Sequence, residues 1–391
     1  MILFKQTEVY GPDRLGFRDV LTAGGKIIKI SDKPIDTGDL EVLVIEGNGK
    51  ILIPGLIDAH VHICGGGGEG GFKTRTPEMR MTEMITAGVT SVVGCLGTDG
   101  IARSMENLLA KVYGLREEGV SAWCYSGSYQ VPVRTLTDEL VKDVMMIEPI
   151  IGVGEIAIND HRSSSPTAAE LARIASDARV AGILSGKAGV VNCHLGDGPF
   201  DLELIETVIR DSVIPISQFY PTHMNRNARL FEKAIEFALK GGMVDLTTST
   251  RPVFIQEGEV PAAEALARLL SKGVSVDRIT FTSDGHGSLP EFDSDGVFKG
   301  LSVGKLDSLM ESVIEAVKKY KVPLELAIRT VTASPAQYLK LNGKGFVKEG
   351  GDADLVLLDA ETYAIDTVVS NGRLCLYQGQ LQVKETFKME A

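Results

Sequence analysis

Eight short apolar runs alternate with longer amphipathic stretches through the middle of this chain, and nothing else in the sequence constrains its fold as strongly. The runs fall at residues 57–62, 91–96, 121–125, 150–156, 190–195, 214–220, 243–247 and 278–282. Most are followed by a helix-like segment, as at 101–117, 165–184, 229–240 and 305–321. The first of these segments carries Leu108, Leu109, Val112 and Leu115 at helical spacing, and the second opens on a Ser-Pro start signal. Strands that alternate with helices call for parallel pairing with helical crossovers. Eight such units fit an α/β fold of the closed (β/α)8 TIM type better than an open sheet. A chain of 391 residues is long enough for that barrel and a second module.

The second module is legible at the two ends. Residues 26–30 and 41–45 are short β-type runs punctuated by glycine. Past residue 344 come the run 354–358, an Asn371-Gly372 turn and the run 374–377. Asn-Gly between apolar runs is a hairpin signal, and chain termini often lie close together in space. The expectation is a small β-sandwich domain built from 1–52 and 344–391, with the barrel spanning 53–343.

Composition removes several classes of function. The formal net charge is −12, and an acidic surface repels phosphate backbones, so nucleic acid is not an expected partner. No run approaches the length of a bilayer span, and the first residues lack the basic start of a signal peptide. The five cysteines, Cys64, Cys95, Cys124, Cys193 and Cys375, are odd in number and without CxxC spacing. That pattern fits a reducing cytoplasm rather than a disulfide framework.

The chemistry is carried by the histidines. There are six, and each stands at or just beyond the C-terminal end of an expected strand, where barrel enzymes place their active sites. In Asp58-Ala59-His60-Val61-His62 the two imidazoles are two residues apart and point the same way from a strand. Such a pair holds a metal ion. His194 and His223 end the fifth and sixth runs and supply imidazoles for a second ion. Asp284, in Thr282-Ser283-Asp284-Gly285, ends the eighth, where a carboxylate can ligate metal and move a proton. Each of these groups alone is more often structural; the set is what carries the argument.

This set, with the closing run Gly350-Gly351-Asp352-Ala353-Asp354-Leu355-Val356, resembles the amidohydrolase superfamily over nearly the full length. Finer motifs narrow the resemblance to its isoaspartyl (β-aspartyl) dipeptidases. They are Gly65-Gly66-Gly67-Gly68-Glu69, Arg75-Thr76-Pro77-Glu78, Gly97-Thr98-Asp99, Tyr129 before Val131-Pro132, Asp160-His161-Arg162-Ser163, residues 221–227 and residues 283–288. The resemblance implies a zinc enzyme that cleaves the β-aspartyl amide of dipeptides by a metal-bound hydroxide. Asp284 is then metal ligand and general acid/base, and Tyr129 the oxyanion donor. Glu69 takes the substrate ammonium and Arg162 and Arg226 its carboxylates, with Thr98 and Ser288 adding hydrogen bonds. The resemblance also implies a homo-oligomer and a lid formed by 65–71. His161 and His286 receive no firm role.

The sequence departs from that pattern at one position. The family places a carbamylated lysine on the fourth strand to bridge two zinc ions, and here the position is Glu155. Glutamate is shorter by on the order of 3–4 Å, so bridging requires the backbone to come closer, which the flanking Gly152 and Gly154 permit. The metal ligands expected are therefore His60, His62, Glu155, His194, His223 and Asp284, around two zinc ions or, if Glu155 does not bridge, one. Two other readings stay open. One is an amidohydrolase acting on cyclic amides or N-acyl amino acids, such as a dihydroorotase, hydantoinase or deacylase. The other is a barrel kept as a non-catalytic module.

Overall fold

A computed structural model describes residues 1–292 and 298–386. Five strands come first: β1 (Ile2–Tyr10), β2 (Arg14–Ala23), β3 (Lys26–Ser31), β4 (Leu43–Glu46) and β5 (Lys50–Pro54). Eight follow around the barrel: β6 (Leu56–Val61), β7 (Val89–Gly94), β8 (Ser121–Ser126), β9 (Ile150–Ile158), β10 (Val190–Leu195), β11 (Phe219–Thr222), β12 (Val244–Thr247) and β13 (Ile279–Thr282). A hairpin, β14 (Ser288–Phe292) with β15 (Phe298–Val303), is not legible in the sequence. The chain ends on β16 (Leu355–Asp359), β17 (Ile365–Ser370), β18 (Arg373–Tyr377) and β19 (Gln380–Leu381).

Strands β6 to β11 form one parallel sheet in sequence order, and β12 pairs β13. The ring closes through Met224 N donating to Asp245 O at 3.1 Å on one side. On the other, His62 N donates to Gly285 O at 2.9 Å and Ser283 N to Asp58 Oδ1 at 3.2 Å. The fold is the expected α/β barrel. Its strands are continuously buried, as β9 is from Ile150 to Ile158, because parallel strands are covered on both faces. Inside, Ile57, Ala59, Val93, Cys95, Tyr125, Ile151, Tyr220 and Met243 pack together. Ala336 and Leu339, from and just past the helix Ala333–Tyr338, join them against the strand N-termini and plug that end. The C-terminal ends are left for chemistry.

The end strands form one sheet, ordered β19-β18-β17-β16-β5-β1-β2-β3 with β4 alongside β1. Alternation assigns its two faces. Leu52, Leu355, Leu357 and Val369 enter a core shared with Ile2, Phe4, Val20 and Ile27. Their neighbours Ile51, Ile53, Val356, Leu358 and Val368 pack on the barrel. The sheet curls around its own core until β3 meets the run leading to β16, where Ile27 N donates to Gly351 O at 2.9 Å and Ala353 N to Gly25 O at 2.8 Å. The last five residues of the expected 344–391 segment lie outside the described residues.

Three of the element starts that differ from expectation have a plain local reason. The expected helix at 165–184 begins at Ala168, because Thr167 caps it in a reciprocal box with Glu170 and Pro166 stays outside. The one expected at 101–117 begins at Met105, because Asp99 Oδ1 holds the amides of Ile101 and Ala102 in a turn. The sixth strand begins at Phe219 rather than 214. Pro215 has no amide to pair in a central strand, and a single 3-10 turn, Ile216–Gln218, follows it. Among the described residues no helix is long and apolar enough to cross a membrane.

Beneath the C-terminal mouth lies a polar layer built on Asp245. Its Oδ2 accepts from Thr222 Oγ1 and Thr282 Oγ1, each at 2.6 Å, and its Oδ1 from Thr280 Oγ1 at 2.5 Å and Tyr220 OH at 3.3 Å. Four donors on the two flanking strands, β11 and β13, make this buried carboxylate of β12 a staple across the side of the barrel where the sheet pairing breaks. Asp245→Ala strands those hydroxyls and is expected to cost about 3 kcal/mol of unfolding free energy. A lower urea midpoint in the purified variant is the measurement; an unchanged midpoint would show that the staple contributes nothing to stability.

Candidate metal centre

The strand ends bring the expected ligands to one point. His60 and His62 rise from the end of β6, Glu155 from β9, His194 from β10, and His223 and Asp284 from just past β11 and β13. His60 and Glu155 are fully buried, and His62, His194 and His223 nearly so. His60 Nε2 stands 2.7 Å from Glu155 Oε2, His194 Nδ1 3.4 Å from it and His223 Nε2 3.8 Å from it. On the far side His62 Nε2 lies 3.0 Å from Asp284 Oδ1 and 3.9 Å from Glu155 Oε1.

A bulge brings the short glutamate into reach. In the β9–β10 pairing Val153 faces Val191 and Ile156 faces Cys193, so Gly154 and Glu155 together oppose Asn192. An extra residue of this kind bends its strand and re-aims a side chain. Glycine is required for the close approach. A Cβ on Gly154, whose φ is +148°, would lie 2.7 Å from Asn192 O, and one on Gly152 2.6 Å from Val190 O.

The imidazoles are oriented from behind. Asn192 Nδ2 donates to Tyr220 O at 3.1 Å, which turns Asn192 Oδ1 toward His60 Nδ1 at 3.1 Å. His60 Nδ1 therefore carries the proton and Nε2 is the free lone pair. His223 Nδ1 meets Thr247 Oγ1 at 2.6 Å, which again leaves Nε2 facing Glu155. His194 is held by Asp160 Oδ2 at Nε2, 3.0 Å away, and by Tyr129 OH at Nδ1, 2.9 Å away.

This donor set fits divalent ions. Both oxygens of Glu155 and Oδ1 of Asp284 are buried without a hydrogen-bond partner among the described residues, although imidazole nitrogens crowd them. Unpartnered buried carboxylate oxygens are costly unless a cation meets them. Ligand atoms fall into two groups that share Glu155: His60, His62, Cys95 and Glu155, and Glu155, His194 and His223. The electrostatics agree. Burial works to raise the Glu155 carboxyl, but His60, His194 and His223 hold it well below the carboxylate range. Burial works to lower His60 and His62, yet the neighbouring Cys95, Glu155 and Asp284 drive both well above the ordinary imidazole value. His223 goes the other way, to about 3, through burial, Arg226 and His194. The cluster calls for added positive charge on the His60–His62 side.

Above the cluster opens a cavity of about 410 Å³. The expected substrate and oxyanion residues line it: Tyr129, Glu69, Thr98, Arg162, Arg226 and Ser288. Asp160 grips Arg162 with both oxygens, Oδ1 on Nε at 2.9 Å and Oδ2 on Nη2 at 2.7 Å. Glu69 sits among Thr98 Oγ1 at 2.9 Å, Arg162 Nη1 at 3.3 Å and Ser288 Oγ at 3.4 Å. His161 is not part of this assembly; its side chain is 84% exposed. His286 acts as a clamp between loops, with Nδ1 2.8 Å from Pro77 O and Nε2 3.3 Å from Glu83. Sequence reasoning misses Asp160, Asn192 and Thr247 as orienting groups. It also misses Cys95 and Glu259, a cavity residue whose carboxyl burial pushes up to about 7. Asp160 is within reach, since it stands in the Asp-His-Arg-Ser run quoted above.

The amidohydrolase family profile matches residues 51–185 and 199–375, so the chain belongs to the amidohydrolase family. Within that family it is 42% identical to the β-aspartyl dipeptidase of the thermophilic keratin degrader Fervidobacterium islandicum AW-1. That enzyme's structure, solved in complex with the β-Asp-Leu dipeptide, matches with a TM-score of 0.91 over 99% of this chain and 98% of that one. The dihydroorotase of Carboxydothermus hydrogenoformans is 25% identical over 87% of this chain and 84% of its own. A D-hydantoinase structure, 18% identical with a TM-score of 0.68 over 97% and 96% of the two chains, shares the fold.

Metal occupancy and stability should be linked. An ion that binds only the folded chain adds about 4 kcal/mol when its free concentration is a thousand times its Kd. Dialysis against a chelator is expected to lower the thermal midpoint, and added Zn²⁺ to restore it. A midpoint indifferent to both would argue against an ion in this cluster.

Proposed function

We propose that this chain hydrolyses the β-aspartyl amide bond of dipeptides, with two zinc ions held by His60, His62, Glu155, His194, His223 and Asp284. The observation that carries the reading is the cavity itself. It joins a buried cluster of imidazoles and carboxylates to two cationic groups, Arg162 and Arg226, and to the carboxylate of Glu69, with Asp197, Glu257 and Glu259 also on its wall. A β-aspartyl dipeptide presents the complement: one ammonium and two carboxylates around its amide. The kinship with the Fervidobacterium enzyme, at 42% identity and with β-Asp-Leu as its bound ligand, points the same way.

Divalent ions held in such a site supply activation of water near neutral pH and polarisation of an amide carbonyl. The chain's own groups do the rest. Glu69 meets the substrate ammonium, and the planar guanidinium groups of Arg162 and Arg226 take the carboxylates. Asp160 holds Arg162 in place and keeps it charged: burial works against the charge, but Asp160 outweighs it and the pKa rises. Water adds OH to the acyl carbon and a proton to the departing nitrogen as the C–N bond breaks. Asp284 carries that proton; it sits at the cavity wall with its side chain 20% exposed, beside His62. Tyr129 OH, beside His194, donates to the oxygen that gains charge.

The decisive assay is hydrolysis of β-Asp-Leu against α-Asp-Leu by zinc-loaded protein. Cleavage of the β isomer alone is expected. Inactivity on both, with turnover of a cyclic amide such as dihydroorotate, would replace this reading with the dihydroorotase or hydantoinase one. Tyr129→Phe is expected to retain its zinc and to lose turnover by on the order of a hundredfold. Unchanged kcat in that variant would remove Tyr129 from the chemistry.

A further inference from the structure

One thiol buried beside His60 and His62, that of Cys95, has no part in the reaction above. Cys95 follows β7, and its backbone N–H donates to Val61 O at 2.9 Å, which sets it level with His60 and His62. Its Sγ lies 3.7 Å from His60 Nε2 and 3.9 Å from His62 Nδ1. Of the five cysteines, Cys95 alone belongs to the cluster inside the barrel. Cys64, Cys124, Cys193 and Cys375 pack in the outer core.

Two independent observations make this position a ligand site. The ligand atoms of His60, His62, Cys95 and Glu155 all lie within 4.8 Å of one another. A tetrahedral zinc, with Zn–S about 2.3 Å and Zn–N about 2.0–2.1 Å, separates sulfur from nitrogen ligands by about 3.6 Å. The 3.7 Å between Cys95 Sγ and His60 Nε2 is close to that. Secondly, Glu155 is fully buried and aimed at the same point, and neither of its oxygens has a hydrogen-bond partner among the described residues.

We propose that Cys95 is a further protein ligand to the ion on the His60–His62 side, completing with Glu155 a set of one thiolate, two imidazoles and one carboxylate. This rests on the reading of the cluster as a metal centre. It divides the centre unequally. One ion would gain His60, His62, Cys95 and Glu155, with Asp284 Oδ1 beside them at 3.0 Å from His62 Nε2, while His194, His223 and Glu155 would give the other three and leave it open to water or substrate. Closed four-ligand sites hold zinc firmly, and three-ligand sites are those that do chemistry. A sulfur ligand also biases the first position toward zinc or cobalt and away from magnesium or manganese.

X-ray absorption at the zinc K-edge on the full zinc-loaded chain tests this without reference to activity. A sulfur shell at about 2.3 Å is expected, lost in Cys95→Ser and kept in Cys193→Ser. Cobalt-loaded protein should show a sulfur-to-cobalt charge-transfer band that Cys95→Ser removes. Stoichiometric zinc with a nitrogen- and oxygen-only shell overturns the role of Cys95 and leaves the metal centre standing. A chain that holds no stoichiometric zinc overturns the metal centre, and this proposal falls with it. The unmodified chain's spectrum decides between these outcomes even if a variant does not fold.

Discussion

A carboxylate with no hydrogen-bond partner among the described residues, sealed at the centre of the barrel mouth, is the constraint from which the rest of the site follows. Glu155 is fully buried, and both its oxygens face imidazole nitrogens instead of donors. Burying such a charge costs several kcal/mol unless opposite charge meets it. Protonated histidines could supply part of that charge. Without an ion, His60 and His62 do so, since their acidic neighbours drive both well above the ordinary imidazole value, while burial and Arg226 push His223 the other way, to about 3. In the neutral rings, however, Asn192 at His60 Nδ1 and Thr247 at His223 Nδ1 leave the Nε2 lone pairs turned toward the carboxylate. An arrangement of lone pairs around an anion is unstable as a salt bridge and well formed as a cradle for cations.

The barrel makes this arrangement possible by separating its ends. At the N-terminal end Ala336 and Leu339 fill the interior with methyl groups. One layer below the cluster, Asp58 and Asp245 are buried as well, and burial raises both, Asp58 to about 7. Neither resembles Glu155. Asp245 is surrounded by hydroxyl donors, and Asp58 by the amide and hydroxyl of Ser283. Partnered carboxylates stitch the strands, and the unpartnered one waits for a ligand. Burial alone does not distinguish the two; the hydrogen-bond inventory does.

Much of this is legible in the amino-acid sequence alone. The eight strands are visible because parallel strands buried on both faces read as uniform apolar runs. The histidines are visible because each one interrupts or ends such a run. What the sequence hides depends on register. The reach of Glu155 cannot be judged from it, because the bulge that sets two residues against Asn192 exists only in the pairing of β9 with β10. Cys95 is passed over because a cysteine in an apolar run reads as a small hydrophobe, and only the closed barrel places it beside His60. Strands β1 and β2 are missed although β4 and β3, which pair with them, are read. Their inward residues share faces with polar ones, as Thr7 and Asp19 show, both buried. Glu259 lies far from any motif and reaches the cavity through the loop after β12.

The substrate end of the cavity follows a related logic with charges reversed. Glu69 and Arg162, the two groups assigned to opposite ends of a zwitterion, are paired with each other at 3.3 Å. Asp160 already satisfies Arg162 with two bonds, so the guanidinium can release Glu69 without being left bare. A ligand with both an ammonium and a carboxylate exchanges one ion pair for two. A neutral amide has nothing to exchange and would have to break or bury the pair unaided. On the proposed reading, selection for a dipeptide with both an ammonium and carboxylates over a neutral ring is therefore written into the contact between Glu69 and Arg162. The metal cluster beneath, common chemistry for many amides, need not discriminate at all.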